Sequence, residues 1–237
     1  MKGLTMRRMG AGFVLLLAVG LLAACQGMQP QERQVMDWQP KRVAVLPYGI
    51  ATGGDEGNVR SPLTGASFRP GAVAEAAGLA LDAALEQQLP KVASFQVVPA
   101  GQAGAVYERL RRENISLDLM QAVQTTGMKL KADGVLIGFI YRFAQRVGGP
   151  YAADRPASAA FDLAMVRVSD GAVLWKNSFD ETQQAFSENI LSAGQYMDRG
   201  LRWFTVQEWG EIGMKQLLER LPWRKDAGPA PARAAKE

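Results

Sequence analysis

Three carboxylates stand where strands could hold them for chemistry. Asp162 sits between Phe161 and Leu163 in the middle of one apolar run, and Asp180 and Glu181 close the next, with Glu188 shortly after. Two carboxyl groups flanking a glycosidic bond are the usual means of hydrolysing it. A pair drawn from Asp162, Asp180 and Glu181 is therefore a candidate for acid/base work on a glycan. The competing reading is that these are exposed strand and turn acids. Little else in the 237 residues can do chemistry. There is no histidine, and there is one cysteine, Cys25. That excludes Cys/His zinc sites and nucleophiles activated by an imidazole. The stretch TGGDEGN (Thr52–Asn58) lacks the Gly-Lys-Ser/Thr of a phosphate loop and the alternating acids of a calcium loop. The residues thus nominate no metal and no cofactor, and any enzyme here would need to use carboxylates, Lys, Tyr or Ser alone.

A second cluster is made for contact. Arg142 and Arg146 fall on one face of an extended segment, with Tyr151 and Arg155 near the turn that follows. Such a patch suits an anionic partner or lipid headgroups. The alternative is a solvated hairpin end. Trp209 lies about 120° from Trp203 around a helix at ~100° per residue, off the apolar stripe. It is read as a packing residue against another helix, with a protein contact as the alternative.

The elements that must position these residues follow from periodicity. Val43–Leu46 is a short apolar run ended by Pro47, as expected of a strand buried on both faces. Ala51–Gly71 is rich in Gly, Ser and Pro and reads as a long loop that is functional or disordered. Ala72–Leu89 is helical, stopped by Pro90. Phe95–Pro99 is a second short strand. Ala103–Arg112 and Leu117–Thr126 read as helices, the latter starting at Ser116 or Asp118. Gly134 to about Val147 is a long strand, central in its first half and amphipathic in its second. Ala157–Val168 returns, Ser169–Gly171 makes a tight turn, and Ala172–Glu181 completes a three-strand meander. Phe186–Met197 and Trp203–Leu221 close the chain as helices, with Pro222 as the stop. The order β-α-β-α-α-β-β-β-α-α implies an α/β (α+β) fold, a single mixed sheet of about five strands flanked by helices.

The first residues give an address. Lys2, Arg7 and Arg8 precede an apolar run from Met9 to Ala24, the pattern of an export signal and too short to span a bilayer comfortably. It ends Leu22-Ala23-Ala24-Cys25, which resembles the bacterial lipobox. That resemblance implies cleavage before Cys25 and acylation of its sulfur and new amino group, an anchor of three chains where one would be marginal. Gln26 in place of an Asp leans the address towards the outer membrane, with the protein facing the periplasm. The expected organisation is a signal peptide over 1–24, a lipidated Cys25 and tether over 25–41, a folded periplasmic domain over 42–222 and a disordered tail over 223–237. The chain has 27 Lys and Arg against 23 Asp and Glu. Removing Lys2, Arg7 and Arg8 leaves 24 against 23, a net charge of +1. No affinity for nucleic acid is indicated.

The phrases RVAVLPYG, FQVVPA, ADGVLIGFIYRF and SDGAVLWKNSFDE, in this order, resemble a group of bacterial envelope domains. The group includes the curli-secretion lipoprotein, the lipoprotein activators of penicillin-binding proteins and the amino-terminal domain of the Tol-system propeller protein. The likeness spans about Arg42–Glu181. It implies a non-catalytic interaction module, anchored to the membrane by its N-terminal lipid and assisting an envelope assembly, cell-wall synthesis or secretion machine through an envelope protein partner. A homo-oligomeric ring is the alternative assembly, and a carboxylate-dependent cell-wall glycan enzyme the alternative activity. The curli lipoprotein crosses a membrane with its hairpins. Arg142, Arg146, Arg155, Asp154 and the Gly-Pro breaks predict that the corresponding hairpin does not span here.

Overall fold

The computed structural model of the chain describes residues 37–51, 57–151, 153–184 and 202–226. The leader with Cys25, most of the tether, the expected helix Phe186–Met197 and residues 227–237 lie outside them.

The described chain builds one mixed sheet with helices on both faces. Its strands are β1 (Arg42–Val45), β2 (Gly49–Ile50), β5 (Gln96–Val98), β6 (Gly134–Ile137), β7 (Phe139–Ala144), β10 (Ser158–Arg167) and β11 (Val173–Thr182). Two small hairpins stand outside it, β3 (Val59–Arg60) with β4 (Ser67–Phe68) and β8 (Val147–Gly148) with β9 (Ala153–Arg155). The sheet has seven strands rather than about five because two rows are each broken in two. β1 and β2 are one extended stretch interrupted around Pro47, and they run parallel to β6 and β7, which are one stretch interrupted at Gly138. β5 flanks β1 in parallel. β10 runs antiparallel to both β6 and β7, and β11 antiparallel to β10. Gly171 closes the β10–β11 turn with φ +73°, a conformation that favours glycine.

The expected single strand over Gly134–Val147 breaks for a steric reason. A Cβ at Gly138 would lie 2.4 Å from the Asp162 carbonyl oxygen and 2.4 Å from the Tyr48 ring. Only a residue without a side chain lets Tyr48 close over the strand there.

Helices α1 (Ala77–Val92) and α4 (Val206–Glu219) cover one face, and α2 (Ala100–Glu113) and α3 (Leu119–Lys129) the other. α1 begins later than its apolar pattern and continues through Pro90 to Val92. Residues 71–74 instead run along β7, where Gly71 and Ala74 donate to the Tyr141 and Phe143 carbonyls. α4 crosses the sheet closely because Gly210 and Gly213 leave room for Phe143, Phe161 and Phe179. Trp209 is buried against Phe179 and Phe204 and donates its indole N–H to the Glu181 carbonyl, so it packs. Reciprocal capping boxes start α3 (Asp118 with Gln121) and α4 (Thr205 with Glu208). Arg202 clamps the Glu208 carboxylate and, with the Thr205 backbone, holds its pKa down to about 2.

The folded unit extends beyond Arg42 and Pro222 at its two ends. Trp38 meets the Trp223 ring edge-on at 4.9 Å between centroids, and the Trp223 indole donates to the Trp38 carbonyl at 2.7 Å. Trp223 is 2% exposed, and Lys225 bonds back to Val92 and Pro90 at the end of α1. Trp223→Ala should therefore cost about 3 to 5 kcal/mol, the range for deleting a buried large aromatic. Urea unfolding measures it, and an unchanged midpoint would mean that the unit ends before Trp223.

Candidate functional site

Asp162 is the candidate acid on which most contacts converge. It is 0% exposed, in the middle of β10. Its Oδ1 accepts the Phe139 backbone N–H at 3.0 Å, where the β7–β10 ladder is disturbed beside Gly138. Its Oδ2 accepts the Tyr141 hydroxyl at 2.8 Å, the Ser61 hydroxyl and, at 3.5 Å, the Thr64 hydroxyl. Ser61 Oγ in turn accepts the backbone N–H groups of Leu63 and Thr64. The carboxylate thus ties the chain at Ser61–Thr64 to the sheet. Burial raises the Asp162 pKa, and the hydrogen bonds from Ser61, Tyr141, Phe139 and Thr64 oppose that shift. Tyr48, whose hydroxyl is buried without a hydrogen-bond partner, is also raised, first by burial and then by the charge on Asp162.

This corrects two expectations. Asp162 is not an exposed strand acid, and it has no path to a substrate. The Ala51–Gly71 segment is not a plain loop. Its described part forms the β3–β4 hairpin, laid over the sheet on the α2/α3 side. Phe68 is buried there and stacks on Tyr141 with centroids 4.0 Å apart and planes 9° from parallel.

The other two carboxylates do not join Asp162. Asp180 pairs with Ala160 across the ladder, and Glu181 with Ala159, so they point to opposite faces. Arg142 is also opposite Ala160, on its other side. The alanine's small side chain lets the Arg142 guanidinium pass over it to Asp180. Arg142 further donates to Ser158 Oγ at 2.6 Å and to the Arg69 carbonyl at 2.8 Å. It is a strut between β7, β10, β11 and the chain after β4. Among the described residues no group of His, Cys, Asp or Glu could hold a metal ion.

Arg146, Tyr151 and Arg155 remain at the end of the hairpin. Arg146 donates to the Gly148 carbonyl at 2.5 Å, and its Nε is buried without an acceptor. Tyr151 is 83% exposed. Arg155 is exposed on β9 and takes part in none of the ion pairs described here. The hairpin end is fastened to the body, since Trp203 donates to the Pro150 carbonyl at 2.7 Å and Val206 to the Gln145 side chain at 2.9 Å. At its base lies an open recess of about 460 Å³ between residues 72–74 and the start of β10, with Arg155 on its rim. Four separate segments line it, so no local pattern marks it. No described helix is long and apolar enough to cross a membrane.

No known protein family matches the sequence, and no curated protein is significantly similar to it. Several solved structures align with part of the chain at low TM-scores. Lipoprotein GNA1162 from Neisseria meningitidis is 14% identical, with 66% of this chain and 95% of that one aligned at a TM-score of 0.39. The LpoB C-terminal domain from Escherichia coli is 16% identical, over 66% and 96% of the two chains, at 0.35. The PelC dodecamer from Paraburkholderia phytofirmans is 16% identical, over 76% and 86%, at 0.35. The likeness concerns the path of the chain and identifies neither a reaction nor a partner.

The Asp162 network predicts a pH signature. Asp162→Ala leaves the Phe139 N–H and three hydroxyls without their acceptor and should cost about 2 to 5 kcal/mol. Asp162→Asn keeps an acceptor for Phe139 and should cost less. A raised folded pKa means that the folded state holds the proton more tightly than the unfolded chain does. As pH falls through that raised value towards the ordinary ~3.9, the native protein should gain stability relative to Asp162→Asn. Urea midpoints of both proteins at pH 7 and pH 4.5 measure the gap, and a gap that stays constant would refute the buried ionisable role.

Proposed function

We propose that this protein is a lipid-anchored, non-catalytic interaction module of the bacterial envelope, held at the outer membrane through Cys25 and facing the periplasm. It assists an envelope machine by contact, and the contacting surface is the hairpin end with Arg146, Tyr151 and Arg155, braced at its base by Arg142. One contrast carries the reading. Of the three described candidate carboxylates, Asp162 is buried in structural hydrogen bonds, Asp180 is ion-paired and Glu181 is on the opposite face, whereas Tyr151 and Arg155 stand exposed on a hairpin fixed to the body. Exposed, pre-positioned aromatic and arginine side chains are the residue types that anchor protein contacts. Cys25 to Trp38 is thirteen residues, which limits the reach of the tether to about 45 Å at ~3.4 Å per residue.

Intact mass and detergent partitioning test the anchor. The native protein should carry acyl mass on Cys25 and enter the detergent phase, and Cys25→Ser should do neither. A soluble native protein would end that part of the proposal. In vivo photocrosslinking from positions 146 and 151 tests the surface. Adducts with another envelope protein are the expected result. Adducts with copies of the chain alone would favour a ring, and muropeptide release from purified peptidoglycan that is lost in Asp180→Asn would favour an enzyme.

A further inference from the structure

The recess at the hairpin base names the chemistry of the partner. It crosses four rows at the end of the sheet: Val73 beside β7, Ala144 on β7, Ser158 on β10 and Thr182 on β11. Elsewhere on this face the sheet is covered by α2, α3 and the β3–β4 hairpin, and among the described residues no element lies over the recess. Its floor is low because residues 72, 74 and 144 are alanines. The polar groups on the floor are already satisfied, with Ser158 Oγ and Thr182 Oγ1 2.6 Å apart and Ser158 taking the Arg142 Nε–H.

Charge decides the occupant. Among the described residues no carboxylate lines the recess, and Arg155 does. Asp180, on the same face, is held by Arg142. Asp154 precedes Arg155 on β9 but forms no described ion pair with it. A volume of about 460 Å³ is large enough for a small ligand. An open floor with no free, converging polar groups has nothing to orient one. An extended chain can lie along a low, open floor with its backbone polar groups turned to water and one acidic side chain placed against the rim arginine.

We propose that the recess receives an extended peptide segment of the envelope partner, with an Asp or Glu of that segment paired to Arg155. This rests on the contact role given above to the hairpin and adds the partner's chemistry.

The test uses the full-length lipoprotein in its own cell, with a photocrosslinking residue at Val73, on the recess, and in a second strain at Tyr151, on the hairpin end. Mass spectrometry then maps the attached peptide. The expected adduct at position 73 joins a peptide of another envelope protein that carries Asp or Glu within three residues of the linked site. Arg155→Glu, at an exposed position outside the described ion pairs, should lower the yield of that adduct at least fivefold and leave the circular dichroism unchanged. Arg155→Lys should retain most of the yield. An adduct whose yield ignores Arg155→Glu overturns the inference, as does a partner peptide without an acid. Adducts mapping to a second copy, or to residues 185–201 of the same chain, also overturn it. If position 151 links to an envelope protein and position 73 to none, the contact role stands and the recess inference falls.

Discussion

A single buried carboxylate holds together parts that hydrophobic contact alone would leave separable. Asp162 lies in the central antiparallel strand with no exposure, an arrangement that is costly unless every acceptor position finds a donor. Four donors meet it, one from the backbone of β7 and three from side chains. Two of those side chains belong to the Ser61–Thr64 turn, which has few large apolar residues to bury. The excursion between residues 51 and 71 is therefore held by polar convergence, and Phe68 on Tyr141 adds the aromatic contact. Removing the acid would leave these four donors without their shared acceptor and weaken the link between hairpin and sheet.

The same strand organises the opposite face by different means. Phe161 and its ladder partner Phe179 point to the α4 side. Gly210 and Gly213 bring the α4 backbone down onto them. One residue along, Ala160 leaves the gap through which Arg142 reaches Asp180. The alternation of β10 thus serves three purposes: aromatic packing on one face, and a polar clamp and an ionic strut on the other.

Much of this architecture was legible in the sequence. The element order, the tight Ser169–Gly171 turn and the start of α3 at Asp118 follow from local pattern, and local pattern is what propensity and capping report. The misreadings were non-local. Pro90 did not end α1, which runs on to Val92, where Lys225 donates to the Pro90 and Val92 carbonyls. The strand break at Gly138 depends on Tyr48, ninety residues earlier. Asp162 looked like a surface acid because its partners lie at positions 61, 64, 139 and 141, and nothing in its own neighbourhood marks them. Trp38 and Trp223 sat in segments that read as tether and tail, and it is long-range contacts, with each other and with the body, that tie them to the folded unit.

The two ends of the β6–β7 row differ in kind. At its start, Gly134 leaves room for the Trp38 ring, the point at which the chain arrives from the proposed lipid anchor. At its far end, ten residues on, the row passes into the hairpin with Arg146, Tyr151 and Arg155. Extended strand covers about 33 Å in ten residues at ~3.3 Å per residue. The packed row between these two ends keeps the hairpin at the opposite end of the strand from Trp38. Arg142 then acquires a mechanical meaning. Fixing β7 to β10, β11 and the Arg69 carbonyl just where the row leaves the body, it keeps the hairpin from hinging. A contact surface held rigidly loses less conformational freedom on binding than one on a free loop. On the proposed role, the ionic strut and the buried Asp162 both work as supports for binding, and neither as a reagent.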